Sequence, residues 1–316
     1  MSIFPMLFSQ GDREGRPYYI RIRSKFILEP LTTNLTLSPA ASIDLHMHTT
    51  FSDGRWPVEQ LIDYLAAEHY DMVAITDHDR VDTVAGNQEL AAQKNLPVLA
   101  GVEMSTEWNG SMGHVLCYGF DPHDNELLAV TRVVVSRQLE NTLAVYDQLL
   151  RKGYEFPRKA EVLHDNGGEV RLPRDNIRLL REHGYASDWQ AGLRIIREAG
   201  FVSIHADMAL TVDAAHRSGA VTLIAHPGRR EQGFTYYDID LLDKLRAEVP
   251  IDGIEVYHPY HSPELVETYR GYARKHNLLI STGSDSHSHP GRMPIKHRAE
   301  ISRDLLERVG VHVSAL

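Results

Sequence analysis

The chain has 316 residues, 42% of them hydrophobic, and a formal net charge of -10; that length suits one large α/β barrel, or a barrel with an insertion, with enough chain to bury a core. The acidic balance excludes a general grip on nucleic-acid backbones, so no long-duplex partner is expected, although bound cations can still create a local positive site. One cysteine, Cys117, excludes a disulfide framework and a thiolate zinc knuckle, while the lack of a membrane-length apolar run and of secretory-signal order predicts a cytoplasmic location.

Residues 1–40 contain the turn-rich stretch Gly11-Asp12-Arg13-Glu14-Gly15-Arg16-Pro17 and no clear apolar period. They are set apart as an N-terminal extension with no chemistry assigned. From Ile43, short apolar runs alternate with amphipathic segments, as in βα units. Strands are predicted over Ile43–His48, Met72–Thr76, Val98–Glu103, His114–Phe120, Val221–His226, Gly253–Tyr257 and Leu278–Thr282. Pro57 opens a helix with Leu61, Ile62, Leu65 and Ala66 on one face. Ser262-Pro263 caps another, with Leu265, Val266, Tyr269 and Tyr272 inside. Cys117 falls within the apolar run Val115-Leu116-Cys117-Tyr118 and reads as a small core residue.

Residues 121–215 break the rhythm. Helical patterns over Leu127–Leu150, Ala160–His164, Asn176–His183 and Trp189–Glu198 predict an insertion between two barrel strands. The expected organisation is a barrel from residues 41–120 and 216–316, with the insertion as a substrate cap. Barrel folds vary function through such loops on their C-terminal face.

Eighteen histidines stand in the chain, and eight of them (His46, His48, His78, His114, His226, His258, His261 and His287) lie in or beside short apolar runs. Parallel barrel strands deliver functional side chains at their C-terminal ends. The first predicted strand ends in His46 and His48, whose i, i+2 spacing puts both imidazoles on one face. Later runs lead into Thr76-Asp77-His78-Asp79, Glu103, His226, and Asp285 with His287. Metal-ligand residues on successive strand ends share no single structural explanation, so a metal site is expected. Imidazoles suit Zn, Mn or Fe, and carboxylates can bridge two cations. Asp53, Glu103 and Asp285 cannot neutralise two or three dications, so the centre stays positive and favours an anionic substrate.

At these residues the sequence resembles the PHP (polymerase and histidinol phosphatase) family of metal-dependent phosphoesterases. The motifs are Asp44-Leu45-His46-Met47-His48 with Ser52-Asp53-Gly54, Thr76-Asp77-His78-Asp79, Gly101-Val102-Glu103, Ala225-His226-Pro227 and Gly283-Ser284-Asp285-Ser286-His287. The resemblance implies a distorted seven-stranded (β/α) barrel and three divalent metals. Carried over by motif, His46, His48, Glu103 and Asp285 hold one metal, and Asp53, His78 and His287 a second. Glu103 then bridges to a third, held by His114 and His226. His226, Asp285 and His287 become the catalytic group. His114 begins its apolar run rather than ending it, so a structural histidine is the rival there. Asp77 reads as support for His78.

The helical insertion resembles a subgroup that includes nucleoside 3′,5′-bisphosphate phosphatases and 5′-to-3′ exoribonucleases. Those relatives usually carry an Arg-Pro-His stretch in the insertion. The corresponding segment here is Arg174-Asp175-Asn176. The expected substrate is a small phosphorylated compound, a nucleotide or a short RNA, attacked at phosphorus by a metal-bridging hydroxide. Ser52, Ser284 and Ser286 read as turn residues. Arg174, Arg229 and His261 are candidate substrate contacts, since arginine matches phosphate oxygens with a planar fork. For Arg174 a surface helix position is an equal alternative. Arg230 is expected to be solvated, His258 to be a loop histidine and His289 to be exposed. Rival functions are a histidinol-phosphate-type phosphatase, a metal amidohydrolase and a non-enzymatic accessory module.

Overall fold

The computed structural model describes residues 35–230, 233–288 and 291–315. Most of the N-terminal extension, and His289, therefore lie outside the described residues. The fold is α/β. A six-stranded sheet runs in the order Ala206–Asp207, Gly101–Trp108, Ser111–Tyr118, Val221–Ile224, Gly253–Tyr257, Leu279–Thr282, and a three-stranded sheet in the order His297–Arg298, Ser42–Asp44, Met72–Val73. Short pairings join the two. Val73 bridges Val98, His78 bridges Glu103, and Met47 bridges Ser286, all in parallel. The amide of Leu45 also donates to Thr282 O at 3.2 Å.

The strand directions depart from the simple alternation of parallel units. Ser111–Tyr118 runs antiparallel to both Gly101–Trp108 and Val221–Ile224. The reason is local. Asn109 and Gly110 both take positive φ, 51° and 74°, and an Asn-Gly pair in that conformation closes a two-residue hairpin. Reversal places the start of Ser111–Tyr118 where the parallel strands end.

Several ladders also stop short of the predicted strands. Regular pairing of the first ends at Asp44 and that of Val221–Ile224 at Ile224. Ligand-type residues follow in irregular backbone, with φ of 30° at His226 and 50° at Asp285. Non-glycine residues in this region are strained and concentrate at functional sites.

Apolar side chains from the strands, including Ile43, Leu45, Met72, Ala74, Leu116 and Leu223, pack with Leu305 and Leu306 of the C-terminal helix Arg303–Arg308. Cys117 is fully buried in a second cluster, among Val115, Met208, Val212 and Ile254. Helices Leu127–Arg151, Lys159–Val162, Pro173–Glu182 and Trp189–Glu198 share a separate cluster that includes Val145, Leu149, Val162, Ile177, Leu180 and Ile196. Leu127, at the start of the long helix, and Met208–Arg217 pack on the strand core instead. The helical segment's own core thus runs from Val145 to Phe201, a narrower span than residues 121–215.

Candidate metal centre

His46 and His48 follow strand Ser42–Asp44, and their Nε2 atoms approach to 3.1 Å. Oε2 of Glu103 lies 3.0 Å from the first and 3.1 Å from the second. Oδ1 of Asp285 lies 3.5 and 3.2 Å from the same two atoms. Ligands about 2.0–2.1 Å from a tetrahedral cation are separated by roughly 3.3 Å. These five distances therefore match tetrahedral edges, and the four buried residues form a candidate metal group. The donor set, two imidazoles and two carboxylates, suits a divalent transition metal.

A second candidate group comprises His48, Asp53, His78 and His287. Nε2 of His287 lies 3.2 Å from Asp53 Oδ1, and Nε2 of His78 lies 3.8 Å from Asp53 Oδ2. This group is more open. Side-chain exposure is 50% at Asp53 and 28% at His287, against 0–2% in the first group. A third group is His78, Glu103 and His114. Oε1 of Glu103 accepts from His114 Nδ1 and His226 Nε2, each at 2.9 Å. All nine expected ligands are thus brought together, with Glu103 between the groups. His114 joins because its strand is reversed, which brings its first residues to the same end as the other strands' last.

Close backbone approach holds the ligand segments. A Cβ on Gly54 would lie 2.5 Å from His48 C and O, and one on Gly283 would lie 2.2 Å from His46 Cβ. Only glycine fits at either contact. Asp77 does not contact His78 as expected. Its carboxylate accepts from Thr49 N–H, Thr49 Oγ1 and Ser52 Oγ at 2.6–2.7 Å, which fixes the loop carrying Asp53. Ser284 Oγ donates to His46 O and Ser286 Oγ to Arg292 O. The three serines are tied into loop structure.

Arg174 is half-buried rather than on an open helix surface. It reaches from helix Pro173–Glu182 and donates to Gly54 O at 2.7 Å and Thr50 O at 3.4 Å. It clasps the helical segment to the Asp53 loop. Asn176 points elsewhere, fully buried, with Nδ2 donating to Thr142 O. His261, expected to contact substrate, is buried with both ring nitrogens occupied. Nδ1 donates to Val256 O at 2.8 Å and Nε2 accepts from Gly228 N–H at 3.1 Å. His258 stands in the loop after Gly253–Tyr257, as expected, but that loop turns inward. The His258 side chain is buried, with Nε2 at 3.3 Å from Asp285 Oδ2.

Three further contributors carry little or no signal in the sequence. Glu255, fully buried, lies 2.9 Å from His46 Nδ1 and accepts the His226 amide at 2.7 Å. Its signal was a carboxylate in the middle of the apolar run Gly253–Tyr257. Arg292 contacts Asp285 Oδ2 and Tyr260 OH. Phe234 sets its ring edge-on to His114 and His226, and Arg229 stacks 3.6 Å above it.

Electrostatics divide the imidazoles. Burial drives His78 down to about 3 and His226 to about 4, against the pull of Glu103, so both are neutral and able to ligate. Burial also works downward on His48, but hydrogen bonds to Asp285 and Glu103 outweigh it and raise the group to about 10. His46 is raised likewise, as the charges of Glu103, Glu255 and Asp285 overcome its burial. Burial opposes ionisation of Glu255, yet the charges of His46 and His258 hold it down to about 2.

A family model described as PHP domain matches residues 44–311. The chain is 30% identical over 255 residues to a 3′,5′-nucleoside bisphosphate phosphatase of Chromobacterium violaceum, covering 79% of this chain and 88% of the relative. It is 28% identical over 261 residues to the 5′-3′ exoribonuclease Rnm of Escherichia coli, covering 78% and 86%. Among solved structures, one provisionally assigned as a metal-dependent phosphoesterase, from Bifidobacterium adolescentis, superposes with a TM-score of 0.71 at 22% identity. The match covers 88% of this chain and 98% of that one.

Proposed function

The chain belongs to the PHP domain family of metal-dependent phosphoesterases, and within that class we propose that it hydrolyses phosphate monoesters of nucleotides or of short RNA 5′ ends. The observation that carries this reading is the shared carboxylate of Glu103. One oxygen faces His46 and His48, and the other faces His114 and His226. A carboxylate so placed is suited to bridge cations, and clustered cations suit an anionic ester.

We assign His46, His48, Asp53, His78, Glu103, His114, His226, Asp285 and His287 as ligands of three divalent ions, Mn, Zn or Fe. Such ions, when bound, lower the pKa of coordinated water and offset charge on phosphoryl oxygens. Glu255 orients His46, presenting its Nε2 to the centre. Phe234, against His114 and His226, shields them from water on that side. Arg229, stacked on Phe234, stands where its in-plane donors can meet a phosphate. His226, Asp285 and His287 line the reacting face. We read the linked pairings as a distorted seven-stranded barrel and, within residues 121–215, the helices that share the Val145–Phe201 cluster as a cap, tied to the Asp53 loop by Arg174.

Both relatives described above act, by name, on nucleotides or RNA ends, which favours that substrate class over histidinol phosphate. An amidohydrolase centre with a bridging lysine is disfavoured, because Glu103 occupies the shared position. No helix among the described residues is long and apolar enough to cross a membrane. The test is phosphate release across nucleoside mono- and bisphosphates, histidinol phosphate and short 5′-phosphorylated RNA, with metal analysis of the same sample. Turnover of nucleotide or RNA substrates is expected. Hydrolysis of none of the panel by metal-loaded protein, or a His46→Ala variant with full activity and metal content, would overturn the reading.

A further inference from the structure

The short strand Ala206–Asp207 pairs in parallel with Gly101–Trp108, Ala206 beside Thr106 and Asp207 beside Glu107. One step earlier in that register, His205 comes level with Ser105, and Ser105 is the cross-strand partner of His114. Side chains level with one another share a face of the sheet, and faces alternate along each strand. Met104 and Val115 pack against helix Met208–Arg217. Ser105, His114 and His205 therefore take the opposite face, the one that carries Glu103. Strands lie about 4.8 Å apart, which sets the His205 backbone roughly 10 Å from that of His114. Between the two imidazoles stands only the short Ser105 side chain, whose amide donates to Asp79 Oδ1 at 2.9 Å. On another side of His114 the Phe234 ring fills the space. The open ground beside this part of the centre thus runs across Ser105 to His205.

His205 belongs to none of the three candidate metal groups. Its side chain is 12% exposed, and its Nδ1 lies 3.9 Å from Glu107 Oε2, on the same face of the neighbouring strand. Among the described residues no group hydrogen-bonds its Nε2. Burial and the nearby His114 hold the imidazole below its usual range, against the pull of Glu107. A neutral imidazole carries one N–H and one lone pair. The Glu107 carboxylate favours the proton on Nδ1 and leaves Nε2 as an acceptor. An acceptor complements a hydroxyl; it does not complement a phosphate oxygen, which is an acceptor too.

We propose that His205 positions the leaving group of the ester, its Nε2 accepting a hydrogen bond from a hydroxyl that the departing alcohol carries, as a sugar does near its ester oxygen. It is a substrate contact, and no proton transfer is assigned to it. The proposal rests on the phosphoesterase reading above. It adds a residue that separates esters by the hydroxyls of their leaving group rather than by their charge.

The test compares kcat/KM within two pairs of esters: adenosine 3′-monophosphate against its 2′-deoxy analogue, and adenosine 5′-monophosphate against its 2′,3′-dideoxy analogue. The metal-loaded full chain is used, with its His205→Ala and His205→Gln variants. One neutral hydrogen bond corresponds to about three- to tenfold, so wild type is expected to prefer the hydroxylated member of at least one pair by that factor. His205→Ala is expected to lose the preference, a ratio in which any general loss of metal or fold cancels. His205→Gln keeps an acceptor near the position of Nε2 and is expected to retain more of it. Equal use of both members of both pairs by wild type, an unchanged preference in His205→Ala, or equal loss in the two variants overturns the contact and leaves the phosphoesterase reading intact. If no ester is hydrolysed, the phosphoesterase reading is what fails. Calorimetric binding of the same pairs to the metal-loaded chain then decides the contact alone, and equal affinities overturn it.

Discussion

Glu255 and His46, separated by 209 residues in the chain, meet at 2.9 Å with neither exposed to solvent. The contact occupies Nδ1 of His46 and leaves Nε2 directed at Glu103 and Asp285. The same carboxylate accepts the His226 amide, so it orients two proposed ligand segments at once. Outer partners of this kind commonly matter by about 10–100-fold in metal affinity or activity. Glu255→Gln is expected to weaken metal binding within that range, and Glu255→Leu more severely. Competition titration against a chromophoric chelator measures it. Unchanged affinity in both variants would exclude the orienting role.

Metal uptake should release protons. His48 is raised to about 10 in the metal-free protein, where Asp285 and Glu103 hold its charged form against burial. A ligating imidazole must be neutral. The stabilisation from charged His48 is fully present below its unfolded pKa of 6.5 and is lost as pH rises through about 10. A metal therefore displaces a proton throughout that window, and apparent affinity climbs as pH rises. Calorimetry at pH 7.5 in buffers of different ionisation enthalpy should show at least one proton released per chain. A result independent of buffer would contradict the linkage.

Arg174→Ala should loosen the Asp53 loop without unfolding the chain. The clasp consists of hydrogen bonds from a charged donor to Gly54 O and Thr50 O. Such bonds contribute about 1.5–3 kcal/mol, of which partial transfer to the reacting geometry costs roughly tenfold in kcat/KM. The expected signature is that loss together with weaker binding of one metal and a melting temperature lowered by only several degrees. Loss of every metal, or none, would point to a different role.

Restoring a histidine at position 176 should not restore a substrate contact. Asn176 is fully buried and donates to Thr142 O, inside the helical cluster. Asn176→His must enlarge a packed site, at a cost of about 1–3 kcal/mol. A lower denaturation midpoint with no gain in kcat/KM is expected. A gain in activity would mean that the helix presents this position to the centre.

Most of the proposed ligand residues are readable in the sequence because they sit in short local motifs: a His-x-His pair, a Thr-Asp-His turn, a Ser-Asp-Ser-His run. Their shared oxygen contacts on Glu103 are not, because they join His46, His114 and His226 across long separations. His114 is ambiguous in the sequence if its strand is parallel, and the Asn109-Gly110 pair carries the signal of the reversal. Glu255 was visible as an acid within an apolar strand. His258 and Arg292 gave no comparable sign, since their place depends on how loops fold back onto Asp285. His261 stands out in the sequence as a candidate substrate contact, but its two hydrogen bonds to Val256 and Gly228 are properties of the folded chain.

The unequal shielding of the ligand groups implies unequal exchange kinetics. An ion held by His46, His48, Glu103 and Asp285 would be sealed behind residues almost closed to water, whereas Asp53 is half open to it. Buffer metals and chelators would therefore reach the Asp53 position first. Preparations with different histories would hold the same inner ion and a varying outer one, so the metal found on purification need not be the metal that supports the fastest turnover.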